Sequence, residues 1–378
     1  MKLKKFIYIT VLISFSISEI LLAYESMQWL RNFTIIYGTI CILYISVIDF
    51  RRDAKKRYSG IYLTIELMAI VKALLGIVAG NKPGLILIDY CLLNMIPFTF
   101  HIHDIIDIEF ENSLKMLAGF SFVCSLYSLF FFNYDISILI RRGYTWHESF
   151  YYAVSFWVMI PYALYKIVNN KVDIKLIILI LLMVLVNLLF LKRMIFVDVL
   201  LLLIVGMIYG EANRKAIFVV IIAAFIIYMI IPWSQMETIG EAMIRRFMEN
   251  DSSYVENDRA QEASWFLADA HVEDIIFGKS LGNQLFADRT NTSLHIGWIN
   301  FINKGGILYF LFMFFIWIAA LRKARYLKNY QMVYQWALLL IVVEGFRFFY
   351  SNMWSFTPEY LFFSYAIVIF LDSKKYAN

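Results

Sequence analysis

The sequence predicts an all-α, polytopic membrane protein of about twelve transmembrane helices with one large polar loop. Three observations predict it. Apolar runs of about 20 residues recur along the whole chain. The mean hydropathy is +0.69 and 61% of the residues are hydrophobic, against roughly 45–50% in a soluble domain. Lys and Arg alternate between rich and poor connections, which is the pattern that orients membrane helices.

The first apolar run, 6–24, follows a basic head of Lys2, Lys4 and Lys5 and imitates a secretory signal. No small-x-small cleavage site follows and a second run comes at once, so an uncleaved first helix is expected. Further spans are expected at 33–50, 60–79, 84–100, 113–132, 149–167, 174–191, 194–210, 215–233, 304–321, 331–349 and 358–371. With the N-terminus inside, one face collects "RRDAKKR" at 51–57, Lys115, Lys166, Lys171, Lys175, Arg214, Lys215, "RKARYLK" at 322–328, Lys374 and Lys375. The short loops of the other face hold only Arg31, Lys82, Arg141, Arg142, Lys192 and Arg193. Both termini are therefore expected in the cytoplasm, with the basic face against anionic lipid and no nucleic-acid partner. With 5 prolines and 16 glycines there is little linker, so residues 1–378 read as a single integral membrane domain. Cys41, Cys91 and Cys124 lie in apolar runs without CxxC spacing and read as inert buried thiols.

Residues 234–303 form the large loop, assigned to the outer face, and acids outnumber bases across its polar stretch. "ETIGEAMIRRFMEN" has helical spacing. "NDRAQEASWFLADAHVEDIIFG" reads as a second helix that starts near Asn257 or Asp258 and stops at Gly278. Arg259 would sit in its first turn. Trp265, Phe266 and Leu267 with Ile275, Ile276 and Phe277 would make an apolar face on the membrane surface. His271 reads as a solvated residue of that helix.

An Arg opening an amphipathic helix, a Trp six residues on, the Gly278-x-x-x-Gly282 turn and His295 before a Gly-containing helix resemble the outer loop of the O-antigen polymerase and ligase superfamily. Arg193, in "LFLKRMIFVDVL", is similar to that family's arginine at the outer start of a helix. The likeness covers about 180–320; the first half is similar only in hydropathy and span number. Two positions depart from the pattern: Ile296 rather than Asn follows His295, and Lys192 stands where a hydroxyl residue usually precedes the arginine.

The resemblance implies a C-type glycosyltransferase-like fold in a bacterial inner membrane and the joining of polyprenyl-pyrophosphate-linked oligosaccharide repeat units at its outer face. Donor and acceptor would both be lipid-linked, with no cofactor and no metal. Membrane lipids and a chain-length regulator are the further partners it suggests. The residue types suit that chemistry. Arg pairs phosphate oxygens bidentately and stays protonated, so Arg193 and Arg259 are the candidate pyrophosphate ligands, followed by Arg245 and Arg246 and then Arg289. A sugar hydroxyl needs a base, and His295 is the candidate.

Each has a plainer reading. Arg193 at a helix end is also a snorkelling anchor. Arg259 suits a salt bridge with Glu256 or Glu262, and His295 a hydrogen bond to backbone. Arg141 and Arg142, beside Tyr144 and Trp146 at expected headgroup depth, suit either a lipid phosphate or simple anchoring. Glu344 and Arg347, three apart on one helix, either neutralise each other or line an outward cavity. Glu66 and Lys72 are buried charges awaiting partners on other helices, and His101 and His103 read as structural. Delivery of finished glycan to another acceptor (a ligase) and flipping of lipid-linked oligosaccharide are the rival functions.

Overall fold

The computed structural model describes residues 2–21, 27–53, 59–131, 256–283, 296–327 and 357–371, together with Tyr162, Lys166, Ile178, Ala337, 340–342, Glu344, Gly345 and Phe348. Its elements are α1 (Lys2–Leu21), α2 (Gln28–Asp53), α3 (Ser59–Val78), α4 (Pro83–Phe131), α5 (Glu256–Asp269), α6 (Val272–Phe277), α7 (Gly297–Leu327) and α8 (Pro358–Leu371). No strand occurs among the described residues. Gly60–Val78, Pro83–Ile106 and Gly297–Ala324 are long and apolar enough to cross a membrane. The chain is read accordingly as an integral membrane protein.

The chain divides into two compact units, Met1–Phe110 with Asp258–Asn378, and Glu111–Asn257. In the second, the continuation of α4 buries Ser113, Leu114, Leu117 and Ala118 and carries an exposed Lys115–Glu111 pair at 2.9 Å, one helical turn apart. The first unit holds the remaining described helices, and α4 is its centre. The span Pro83–Ile106 is 78% buried, against 33% for the spans in α3 and α7.

That burial makes Pro97 expensive. A proline within a helix cannot donate to the carbonyl four residues back, here Leu93, and apolar surroundings offer no water in exchange. Tyr309 supplies the missing donor, and Tyr360 adds a second bond at the neighbouring carbonyl. The Tyr309 hydroxyl of α7 lies 3.2 Å from the carbonyls of both Leu92 and Leu93, and the Tyr360 hydroxyl of α8 donates to Leu92 at 2.7 Å. Both tyrosines sit in aromatic packing: Phe301 tilts against Tyr309 and Phe348, and Phe348 stacks on Tyr360 at 4.6 Å between ring centres.

The cytoplasmic connection expected at 101–112 is instead helical, part of the unbroken α4. The segment lacks Gly and Pro, and its polar groups find partners without unwinding. His101 Nε2 lies 3.3 Å from Glu66 Oε1 on α3, which answers the open question of the Glu66 partner. Lys4 donates to the His101 carbonyl, and Lys5 bonds Glu109 at 2.5 Å. Cys41 and Cys91 are buried free thiols, as expected, and Cys91 rests 3.5 Å from the Thr39 hydroxyl on α2.

If Tyr309 replaces the proline's missing donor, Tyr309→Phe should cost about 1–3 kcal/mol, the cost of orphaning a buried carbonyl. Thermal unfolding of the detergent-purified protein reads this. The cost should shrink in a Pro97→Ala background, where the restored amide serves Leu93. Equal costs in both backgrounds would refute the account. Glu66→Ala should likewise cost about 1–3 kcal/mol by the same measurement, with Glu66→Gln costing less because its amide still reaches His101.

Candidate functional site

The polar segment after residue 256 meets the apolar helices at two places. The first is a small apolar core. Phe266 of α5 is 2% exposed and packs with Ile296, Ile299 and Ile302 at the start of α7, flanked by Trp265, Ile275 and Trp298. The single helix expected from Asn257 to Phe277 is broken at Ala270–His271. His271 stands in extended backbone before α6, where its amide donates to Asp274 Oδ2 at 3.2 Å, so it is a cap residue and not a mid-helix one. The break splits the expected apolar face. Trp265, Phe266 and Ile275 pack on this core, while Leu267, Ile276 and Phe277 are exposed.

The second place is the turn 278–283, fastened to three helices. Gly278 ends α6 with φ of 73° and lies against the kink of α7 at Gly306, whose φ is 80°. A Cβ on Gly278 would stand 2.5 Å from the Gly306 amide, and one on Gly306 would meet the Ile276 carbonyl. Positive φ and this backbone approach leave only glycine at either position. Next, the Lys279 amide donates to the Asn303 carbonyl at 2.6 Å, and Leu281 donates to the Lys72 carbonyl at 3.3 Å. Asn81, in the α3–α4 turn, reaches Ser280 Oγ at 3.2 Å and the Leu281 carbonyl at 2.8 Å.

Charge completes the clasp. Asp89 of α4 accepts from the Gly282 amide at 2.7 Å and from Lys304 Nζ of α7 at 2.7 Å. Lys304 also donates to the Asn283 carbonyl at 2.7 Å, so one ion pair holds two successive residues of the turn. Lys72, whose partner the sequence leaves open, donates to the Lys279 carbonyl at 3.1 Å. Lys279 pairs with Asp274 at 3.3 Å. Lys72 and Lys304 are each only 8% exposed. In such a place an ammonium persists because carbonyls and a carboxylate replace its water.

Of the sequence candidates, Arg259 lies in the first turn of α5, as expected, and Glu344 is a fully buried helical residue. The Arg259 side chain, Arg193, Arg245, Arg246, His295, Arg142, Arg141, Arg289 and Arg347 lie outside the described residues. Among the described residues no three His, Cys, Asp or Glu side chains group as a metal-ligand set. Asp89 and Lys304 were missed at the sequence level. Their signal was available, since each is a lone charge at the edge of an apolar run and the two are opposite in sign. No protein family, curated protein or solved structure matches the chain.

Asp89→Ala would strand the Lys304 ammonium and the Gly282 amide together. A loss of about 3 kcal/mol is expected, as for other broken buried pairs, with faster amide exchange across 278–283. Asp89→Asn keeps an acceptor for Gly282 and should lose less. Unchanged exchange and unfolding in Asp89→Ala would show that the pair does not hold the turn.

Proposed function

We propose that this chain is a membrane glycosyltransferase that polymerises oligosaccharide repeat units carried on polyprenyl pyrophosphate, at the outer face of a bacterial inner membrane. The observation that supports the reading is the fastening of the polar segment to membrane helices. The helix opened by Arg259 is packed through Phe266 on the start of α7, and the turn that follows is clasped by Asp89 and Lys304. The stretch that ends at His295 leaves from that turn and returns into α7. Chemistry on a lipid headgroup needs this: a polar segment held at a fixed height against the bilayer.

In the proposed reaction, a hydroxyl oxygen of the acceptor unit bonds to the anomeric carbon of the donor chain. The bond from that carbon to the pyrophosphate oxygen breaks, and the pyrophosphate leaves with the electron pair. His295 takes the hydroxyl proton. Arg193 and Arg259, backed by Arg245 and Arg246, hold the pyrophosphate and offset its growing charge. Attack opposite the leaving group inverts the anomeric centre, with no covalent enzyme intermediate and no cofactor.

Purified protein supplied with lipid-linked repeat units should give polymer ladders. His295→Ala should slow extension about 10²–10⁴-fold, the usual worth of a general base. Arg259→Ala should lower the rate at saturating donor, because it stabilises a charge that grows during transfer. Ladders of undiminished rate in both variants would remove the mechanism. A single transfer to a non-repeat acceptor would identify a ligase, and bilayer scrambling of the substrate without extension a flippase.

A further inference from the structure

One face of α2 is built for the protein interior and another for lipid. Ile35, Gly38, Ile42 and Ile45 recur at helical spacing and are buried, while Trp29, Phe33, Ile36 and Ile40 on the opposite face are exposed. Arg31, itself half-buried, lies on the same side of the helix, one turn before Ile35 and two before Gly38. A cation serving only as an anchor would stand on the lipid face beside Trp29 and reach outward.

Its guanidinium is poorly served where it is. The Nε is buried without a hydrogen-bond partner, and one terminal nitrogen reaches Gln28 Oε1 at 3.4 Å, the long end of the range. Among the described residues no carboxylate pairs with Arg31. The first turn of α2 lies beside the start of α4, where Asn32 Oδ1 stands 3.9 Å from the position of a Cβ on Gly84. The turn before Gly84 carries a second base, the exposed Lys82, again with no acidic partner among the described residues. A buried, unbonded guanidinium nitrogen in a native protein calls for an acceptor, and an anion is the one that also answers its charge.

We propose that Arg31 is the anchor of a phosphate-binding site at the end of the bundle where α2 meets the start of α4, with Lys82 as its outer cation. The planar fork of Arg31 suits two oxygens of one phosphate. The proposal does not depend on the proposed glycosyl transfer.

The test is ligand-dependent thermal stabilisation of the full-length protein in detergent. The probes are phosphatidylglycerol, polyprenyl pyrophosphate, inorganic phosphate and, as the phosphate-free control, diacylglycerol. Phosphate-bearing probes should stabilise the wild type and diacylglycerol should not. Arg31→Gln should weaken that response about tenfold or more, with Arg31→Lys in between. Without ligand, Arg31→Gln should be no less stable than wild type, since it removes a charge that has no carboxylate partner among the described residues. Which probe binds tightest identifies the source, lipid-borne or free. An unchanged phosphate response in Arg31→Gln, or a variant destabilised without ligand and still responsive, would overturn the site.

Discussion

The described core rests on one constraint: every carbonyl of α4 must be satisfied where no water reaches it. Pro97 breaks that rule at Leu93, and the repair comes from outside the helix. Tyr309 of α7 makes the repair and Tyr360 of α8 bonds the neighbouring Leu92 carbonyl, so three helices are tied at one level. A local defect in backbone bonding thus does the work of tertiary specificity. Apolar packing alone would tolerate sliding of one helix along another, since lipid and leucine are nearly equivalent surroundings. A hydroxyl that must meet a particular carbonyl does not.

The register so fixed decides where the charges go. Tyr309 lies opposite Leu92 and Leu93, so Lys304, five residues earlier on α7, arrives beside Asp89, one turn earlier on α4. The kink at Gly306 falls between them, and it is also where the Gly278 turn lies against α7. Helix register, ion pair and turn are therefore one linked arrangement. The lysines are spent on carbonyls of the turn as much as on acids, which explains why Lys72 and Lys304 are tolerated in buried positions.

Much of the fold was legible in the sequence, and the failures have physical causes. Hydropathy located α1, α2, α3 and α8 closely because each is an apolar run bounded by polar residues. It misjudged 101–112, where clustered His, Asp and Glu resemble a connection. Polarity does not unwind a helix whose side chains reach Glu66 and Lys5. It also ran α5 and α6 together, because the only local mark of the break is Asp274 three residues after His271, with no Gly or Pro to reinforce it. Glycine spacing did anticipate the 278–282 turn, but not that Asp89 and Lys304 would close on it. A pair separated by over two hundred residues leaves no local pattern, only two misplaced charges.

Those misplaced charges form a series that physics sorts. Glu66 finds His101, Asp89 finds Lys304, and Lys72 finds a carbonyl. Each is buried on a helix that hydropathy alone would call a passive span, and each joins elements distant in sequence. Burial of charge costs free energy that apolar packing would not, so these groups do not account for stability as such. What they supply is uniqueness of arrangement: removing any partner leaves an ion with no water. A helix bundle held this way keeps its polar segment at one height relative to the apolar spans, which a site working on a membrane-borne headgroup requires.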